Sequence, residues 1–154
     1  MFSIFRRHRK PRIAILIDGP NLLRKEFSPD LGKVRAQVIK HGTIAIARVF
    51  LNQYAPAKLV EAIANQGFEP VIGMSKTKNE ETDVDVYVSV AAMDAAYDKN
   101  IDIIAIGTRD ADFLPVVQRA KALGKKVIII GQDPCFSKGL QNASDVVIDL
   151  KNTL

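Results

Sequence analysis

Cysteine and histidine are almost absent from this 154-residue chain, which has one of the former, Cys135, and two of the latter, His8 and His41. A single thiol excludes an internal disulfide, and no cysteine–histidine set is left to hold a structural zinc. The two histidines show no spacing that suggests catalysis. Long apolar runs are missing too, since none approaches the roughly 18 residues that a spanning helix requires. The opening Met1-Phe2-Ser3-Ile4-Phe5 is too short for a signal-peptide core, and its charges follow rather than precede it. There is no internal repeat and no low-complexity stretch. These absences leave a cytoplasmic protein as the expectation. Apolar residues at 47% and charged residues at 25% are ordinary for a domain large enough to bury one substantial core.

Acidic residues are missing from one region. Residues 1–12 contain Arg6, Arg7, Arg9, Lys10 and Arg12 and no acid. The chain has 22 Lys and Arg against 17 Asp and Glu, so setting those five aside leaves 17 of each sign. The basic excess therefore belongs to the terminus, and the body is formally neutral. The expected organisation is a basic, flexible tail over 1–11 and one domain over 12–154. A basic arm attracts nucleic acid or anionic lipid without selecting either, and it reads equally well as a solvated terminus.

What the chain does have is strand–helix alternation. Strands are expected over 12–17, 43–51, 68–73, 101–107, 126–131 and 146–148, each a short apolar run. Helices fall between them. The first covers 30–40, with Leu31, Val34, Val38 and Ile39 inward and His41-Gly42 at its end. Another opens at Pro56 and stops at Asn65-Gln66-Gly67. A long one over 83–99 packs through Val84, Val88, Ala91, Ala92 and Ala95. A fourth covers 112–123, stopping at Gly124, and a short one lies near 137–141. Residues 75–81 carry no hydrophobe and read as an exposed loop, and the stretch through Ser28-Pro29-Asp30 reads as a turn. This alternation predicts an α/β fold, doubly wound, with a mainly parallel sheet and helices on both faces. Ligands of such sheets bind beyond the carboxyl ends of the strands, where strand order reverses.

Carboxylates stand at two of those ends. The first strand runs out into Asp18-Gly19-Pro20-Asn21, and the fourth into Thr108-Arg109-Asp110-Ala111-Asp112-Phe113. Alone, Asp18 is a turn former, Asn21 a cap for the segment after it, and Asp112 the N-cap of the helix carrying Pro115. Asp110 resists such explanations, because a loop carboxylate beside another costs stability through repulsion that a bound cation would offset. Asp83 and Asp85 suit a helix first turn, and Asp94 is expected to be exposed. An all-oxygen cluster without His or Cys suits magnesium or manganese, and the chemistry that follows is metal-assisted phosphodiester hydrolysis. Should the first and fourth strands be neighbours, Asp18, Asp110 and Asp112 share one crevice.

The succession of Ile17-Asp18-Gly19-Pro20-Asn21, Val84-Asp85-Val86, Thr108 to Pro115 and Ala122 to Val127 resembles the NYN domains of the PIN-like ribonuclease superfamily. Within that group it is similar to the LabA-like branch, also called domain of unknown function 88. The match covers about 12–150. It implies a Rossmann-like three-layer fold, a magnesium or manganese pocket, and RNA cleavage leaving 5′-phosphate and 3′-hydroxyl ends. Carried over by position, Asp18, Asp110 and Asp112 are the metal-binding and catalytic acids, with Asp85 a further candidate. Asn21 and Thr108 would orient a ligand, water or phosphate. One departure stands out. Many relatives place an Asp six residues after the one matched to Asp85, where this chain has Ala91, which leaves open a one-metal or inactive variant.

Lys76 and Lys78, in the 75–81 loop, read first as solvated charges and second as contacts to substrate phosphates. Ser137 reads most simply as an N-cap. The leading expectation is a metal-dependent ribonuclease (a hydrolase) with RNA as partner. The alternative is a catalytically inactive NYN-fold module that binds RNA or protein, favoured by Ala91 and the neutral body. A Toprim-type domain shares the Asp-x-Asp after a strand but should have glutamate where Asp18 stands. A flavodoxin-like nucleotide binder should have a glycine-rich phosphate loop after its first strand, and none is present. A homodimer is compatible with the sequence, and no residue pattern demands one.

Overall fold

The computed structural model describes residues 9–23, 30–76 and 84–152. Among these residues are six strands: β1 (Arg12–Asp18), β2 (Thr43–Asn52), β3 (Glu69–Gly73), β4 (Ile103–Gly107), β5 (Lys126–Gly131) and β6 (Val146–Asp149). They form one sheet in the order β3-β2-β1-β4-β5-β6, with every neighbouring pair parallel. The helices between them are α1 (Gly19–Leu22), α2 (Leu31–Val38), α3 (Ala57–Asn65), α4 (Asp85–Tyr97), α5 (Leu114–Ala122) and α6 (Lys138–Ala143). The expected doubly wound parallel architecture is therefore the observed one. Among the described residues, no helix is long and apolar enough to cross a membrane.

Two cores follow from the two-residue period of the strands. Ala14, Leu16, Ile104 and Ile106 face one side, against Val88 and Ala92 of α4, Val117 of α5 and Leu140 of α6. Ile13, Ile15, Ile17 and Ala105 face the other, against Val34 and Val38 of α2 and Ile63 of α3. Ile13, Ile15 and Ile17 are fully buried, and each contributes roughly 1.5–3 kcal/mol through lost water contact. This two-sided burial explains why β1 reads as an uninterrupted apolar run.

Local chemistry sets the helix ends. The Asp30 carboxylate accepts the Gly32 N–H at 2.8 Å and starts α2. Gly124, at φ +84°, ends the α5 segment in the left-handed region that glycine enters without cost. Some expectations need correction. Ile39 is 56% exposed, because the chain tightens after α2 into a 3-10 turn over Ile39–His41 and swings that side chain away from the core. The expected single helix over 112–123 is a 3-10 turn, Ala111–Phe113, followed by α5. The turn between β1 and α2 begins with the one-turn helix α1. The long helix starts at Asp85, and Asp83 lies outside the described residues, as do Ser28, Pro29, Lys78 and tail residues 1–8. Of the tail cations, Arg9 pairs with Asp102 at 3.4 Å.

Candidate metal centre

Strand order reverses between β1 and β4, which are hydrogen-bonded neighbours with Ile17 opposite Gly107. The adjacency left open by the sequence is thus present, and Asp18 and Thr108 leave adjacent strands side by side. Alternation places both on one face: Asp18 continues the series Ala14, Leu16, and Thr108 continues Ile104, Ile106. That is the face covered by α4 and α5, where Asp85, Asp110 and Asp112 also lie. Gly107 packs closely on the opposite, α2–α3 side, where a Cβ would meet Ile17 and Leu22 at about 3 Å.

Hydrogen bonds fix the two turns. The Asp18 carboxylate accepts the Asn21 N–H at 3.3 Å, which shapes α1. The Asn21 side-chain oxygen then accepts the Arg109 N–H at 2.9 Å and ties the β1 turn to the β4 turn. Thr108 Oγ1 accepts the Asp110 N–H at 3.2 Å, and Asp110 Oδ1 accepts the Asp112 N–H at 2.9 Å. The capping residue is therefore Asp110, not Asp112 as the sequence suggested. A residue at the cap position precedes the turn whose N–H groups it receives, and the turn opens one residue earlier, at Ala111.

Three carboxylates converge. One oxygen from each of Asp85, Asp110 and Asp112 can be chosen so that all lie within 4.8 Å of one another. Asp85 and Asp110 are half-buried and Asp112 is exposed. At that spacing, like charges repel by roughly 1–4 kcal/mol per pair, depending on the effective dielectric. Asp85 arrives from the start of α4, a different segment from the other two, so local turn geometry does not account for its presence. The donor set fits a hard divalent cation: it is all oxygen, and ligand oxygens around magnesium at about 2.1 Å lie roughly 3–4 Å apart. Asp18, only 3% exposed, borders the crevice but is not one of the three at that spacing.

The remaining candidates lie further out. Lys76 is an exposed bend residue on the loop leaving β3, beside Ser75, which is held to Gln53 by bonds of 2.7 and 2.8 Å. Ser137 caps α6 as expected, accepting the Leu140 N–H at 3.2 Å. Asp94 is exposed, and Ala91 packs against the α4-side core. Residue Arg109 has an importance that sequence reasoning missed. The residue is 6% exposed, and its guanidinium donates to the Pro134 carbonyl at 2.6 Å and the Asn21 carbonyl at 3.1 Å. Its own carbonyl accepts the Ser137 N–H at 3.2 Å. One side chain thus joins the turns after β1, β4 and β5. The available signal was an arginine between two residues already singled out, in a turn too short to carry it far from them.

A six-stranded parallel sheet with an acidic crevice at its switch point defines the class: a three-layer α/β protein of the doubly wound kind with an oxygen-donor site. Residues 12–151 match the model of the NYN domain, and the chain belongs to that family. The family places it in the PIN-like nuclease superfamily. An uncharacterized protein of Methanocaldococcus jannaschii, MJ0482, is 53% identical over 145 residues, covering 94% of this chain. The chain spans 58% of the length of that relative. Among solved structures, VPA0982 of Vibrio parahaemolyticus, a protein of unknown function, superposes with a TM-score of 0.82. The superposition covers 100% of this chain and 99% of the other at 20% identity, a likeness of fold.

Proposed function

We propose that this chain is a divalent-metal-dependent ribonuclease that hydrolyses RNA phosphodiester bonds at the carboxyl edge of its sheet. The observation that carries the reading is the gathering of Asp85, Asp110 and Asp112 within 4.8 Å where strand order reverses. A magnesium or manganese ion held there would lower the pKa of a bound water and offset negative charge on the phosphate. In this reading Asp110 and Asp112 hold the ion from the β4 turn, and Asp85 holds it from α4. Asp18 completes the acidic set from β1, at the border of the crevice. Thr108 and Asn21 act by position, one through the Asp110 N–H and the other through the Arg109 N–H. Lys76 and Lys78 contact phosphates along the strand, which a formally neutral body would otherwise attract weakly.

One observation favours a second reading, a non-catalytic RNA- or protein-binding module. Ala91 turns its methyl into the α4-side core, so the position at which many relatives carry another acid contributes none here. The two readings separate in one assay. An end-labelled RNA mixture is incubated with manganese, magnesium or EDTA, with wild type and Asp110→Asn in parallel. The nuclease reading expects cleavage that needs metal and disappears in the variant. Full cleavage by a verified variant, or none by folded wild type under any condition, would remove it.

A further inference from the structure

A cleft of about 290 Å³ opens on the same edge of the sheet, between the turn after β1 and the connection from β2 to α3. Its walls include Gly19, Pro20, Leu51, Asn52, Tyr54 and Pro56, and among the described residues no charged one lines it. Gly19 lets the turn approach β2 closely, because a Cβ there would collide with the Phe50 carbonyl oxygen and the Leu51 side chain. The turn therefore lies flat on β2. The Asn52 side-chain oxygen accepts the Tyr54 N–H at 2.8 Å, which fixes the bend presenting the Tyr54 ring and turns the amide NH2 into the remaining donor. Tyr54 is 45% exposed.

We infer that this cleft is a nucleobase subsite, receiving the base of a nucleotide next to the phosphate held at the acidic cluster; the inference rests on the ribonuclease reading for that phosphate. Ligand sites usually measure roughly 300–1,000 Å³, so this one suits a single base or nucleoside and is too small for a dinucleotide. An aromatic ring and two prolines offer flat apolar walls for the face of a base, and the Asn52 amide offers a donor for its edge. The described lining is uncharged, which suits a base better than a phosphate. The phosphate is left to the carboxylate-bound cation. The cleft lies beyond β2 and the cluster beyond β1 and β4, one to two strand spacings (roughly 5–10 Å) apart along the edge, with the thickness of the sheet added to that. Leu51 belongs to the α2–α3 core and the cluster to the opposite face, so the RNA strand crosses the carboxyl edge of the sheet between them.

The test is a titration of the whole chain with adenosine, AMP and ribose 5-phosphate, followed by amide NMR shifts at Asn52 and Ala55. It is run on wild type, Tyr54→Ala, Tyr54→Phe and Asp110→Asn. Adenosine and AMP should shift both amides and ribose 5-phosphate should not. Tyr54→Ala should bind about tenfold more weakly or worse, Tyr54→Phe should recover binding, and Asp110→Asn should bind adenosine as wild type does. On a short RNA, Tyr54→Ala should raise KM by a similar factor with kcat little changed. Absence of saturable adenosine binding to wild type, or unchanged binding by folded Tyr54→Ala, would overturn the subsite while leaving the RNA-cleavage assay intact. Adenosine binding lost in Tyr54→Ala would sustain the subsite even where no RNA is cut, and the nuclease reading alone would then fall.

Discussion

At the amino ends of the strands Asp102 accepts the Arg12 N–H at 2.8 Å and pairs with Arg9 at 3.4 Å, whereas at the carboxyl ends Asp85, Asp110 and Asp112 face one another. The amino edge distributes its charge. Lys125 donates to the carbonyls of Asp98 and Ile101, at and just beyond the end of α4, where a cation is favoured by the helix dipole. Arg12 donates to the Asn100 carbonyl at 3.1 Å. The carboxyl edge concentrates charge of one sign. Its one buried cation, among the described residues, is Arg109, whose guanidinium donates to the carbonyls of Asn21 and Pro134. The same strands thus end in a cation-paired Asp102 on one side and in three gathered carboxylates on the other. Stability alone favours the first arrangement, and the second is what a cation-binding edge requires.

The contrast is broken most severely at Asp110. Asp110→Asn should reduce metal-dependent cleavage by on the order of a thousandfold, the scale of losing a principal electrostatic group in a site. Its unfolding free energy should equal or slightly exceed that of wild type, because the Asn oxygen can still accept the Asp112 N–H while repulsion is relieved, as a urea titration would show. Next comes Arg109→Ala. Removing a buried guanidinium leaves two carbonyls without their donor, so urea unfolding should report a loss of about 2–4 kcal/mol. Arg109→Lys should recover part of that loss, since one ammonium cannot span both acceptors. Asp102→Ala is the control from the other edge, with an expected cost of about 1 kcal/mol or less and no change in cleavage.

The smallest effect belongs to His41, whose pKa lies below the ordinary 6.5 because of partial burial first and the charges of Lys126 and Lys40 second. The folded protein resists a proton that the unfolded chain accepts. Stability from this source is complete above about pH 6.5 and declines as the pH falls below that value. His41→Gln should flatten that part of a stability-versus-pH curve without altering cleavage.

Most of the sheet was legible because a strand buried on both faces must be continuously apolar, and 126–131 matches β5 residue for residue. Strand order was not, because hydrogen bonds between strands leave no mark on either strand alone. That order decides whether Asp18 and Asp110 share a crevice. Asp110 and Asp112 were visible as an Asp-x-Asp after a strand, but Asp85 joins them only through the placement of α4 over β1. Arg109 escaped notice because its bonds go to backbone carbonyls, and a carbonyl has the same chemistry at every residue. Tyr54 and Asn52 were passed over for a related reason: a cleft is a property of packed elements, and the short run between β2 and α3 reads as an ordinary turn.

The most direct test of a cation-binding carboxyl edge is calorimetric titration of manganese into wild type, Asp110→Asn and Asp102→Ala, before any RNA is added. Saturable binding to wild type and Asp102→Ala, lost or greatly weakened in Asp110→Asn, is the expected result. Binding absent from folded wild type, or equally strong in Asp110→Asn, would contradict it.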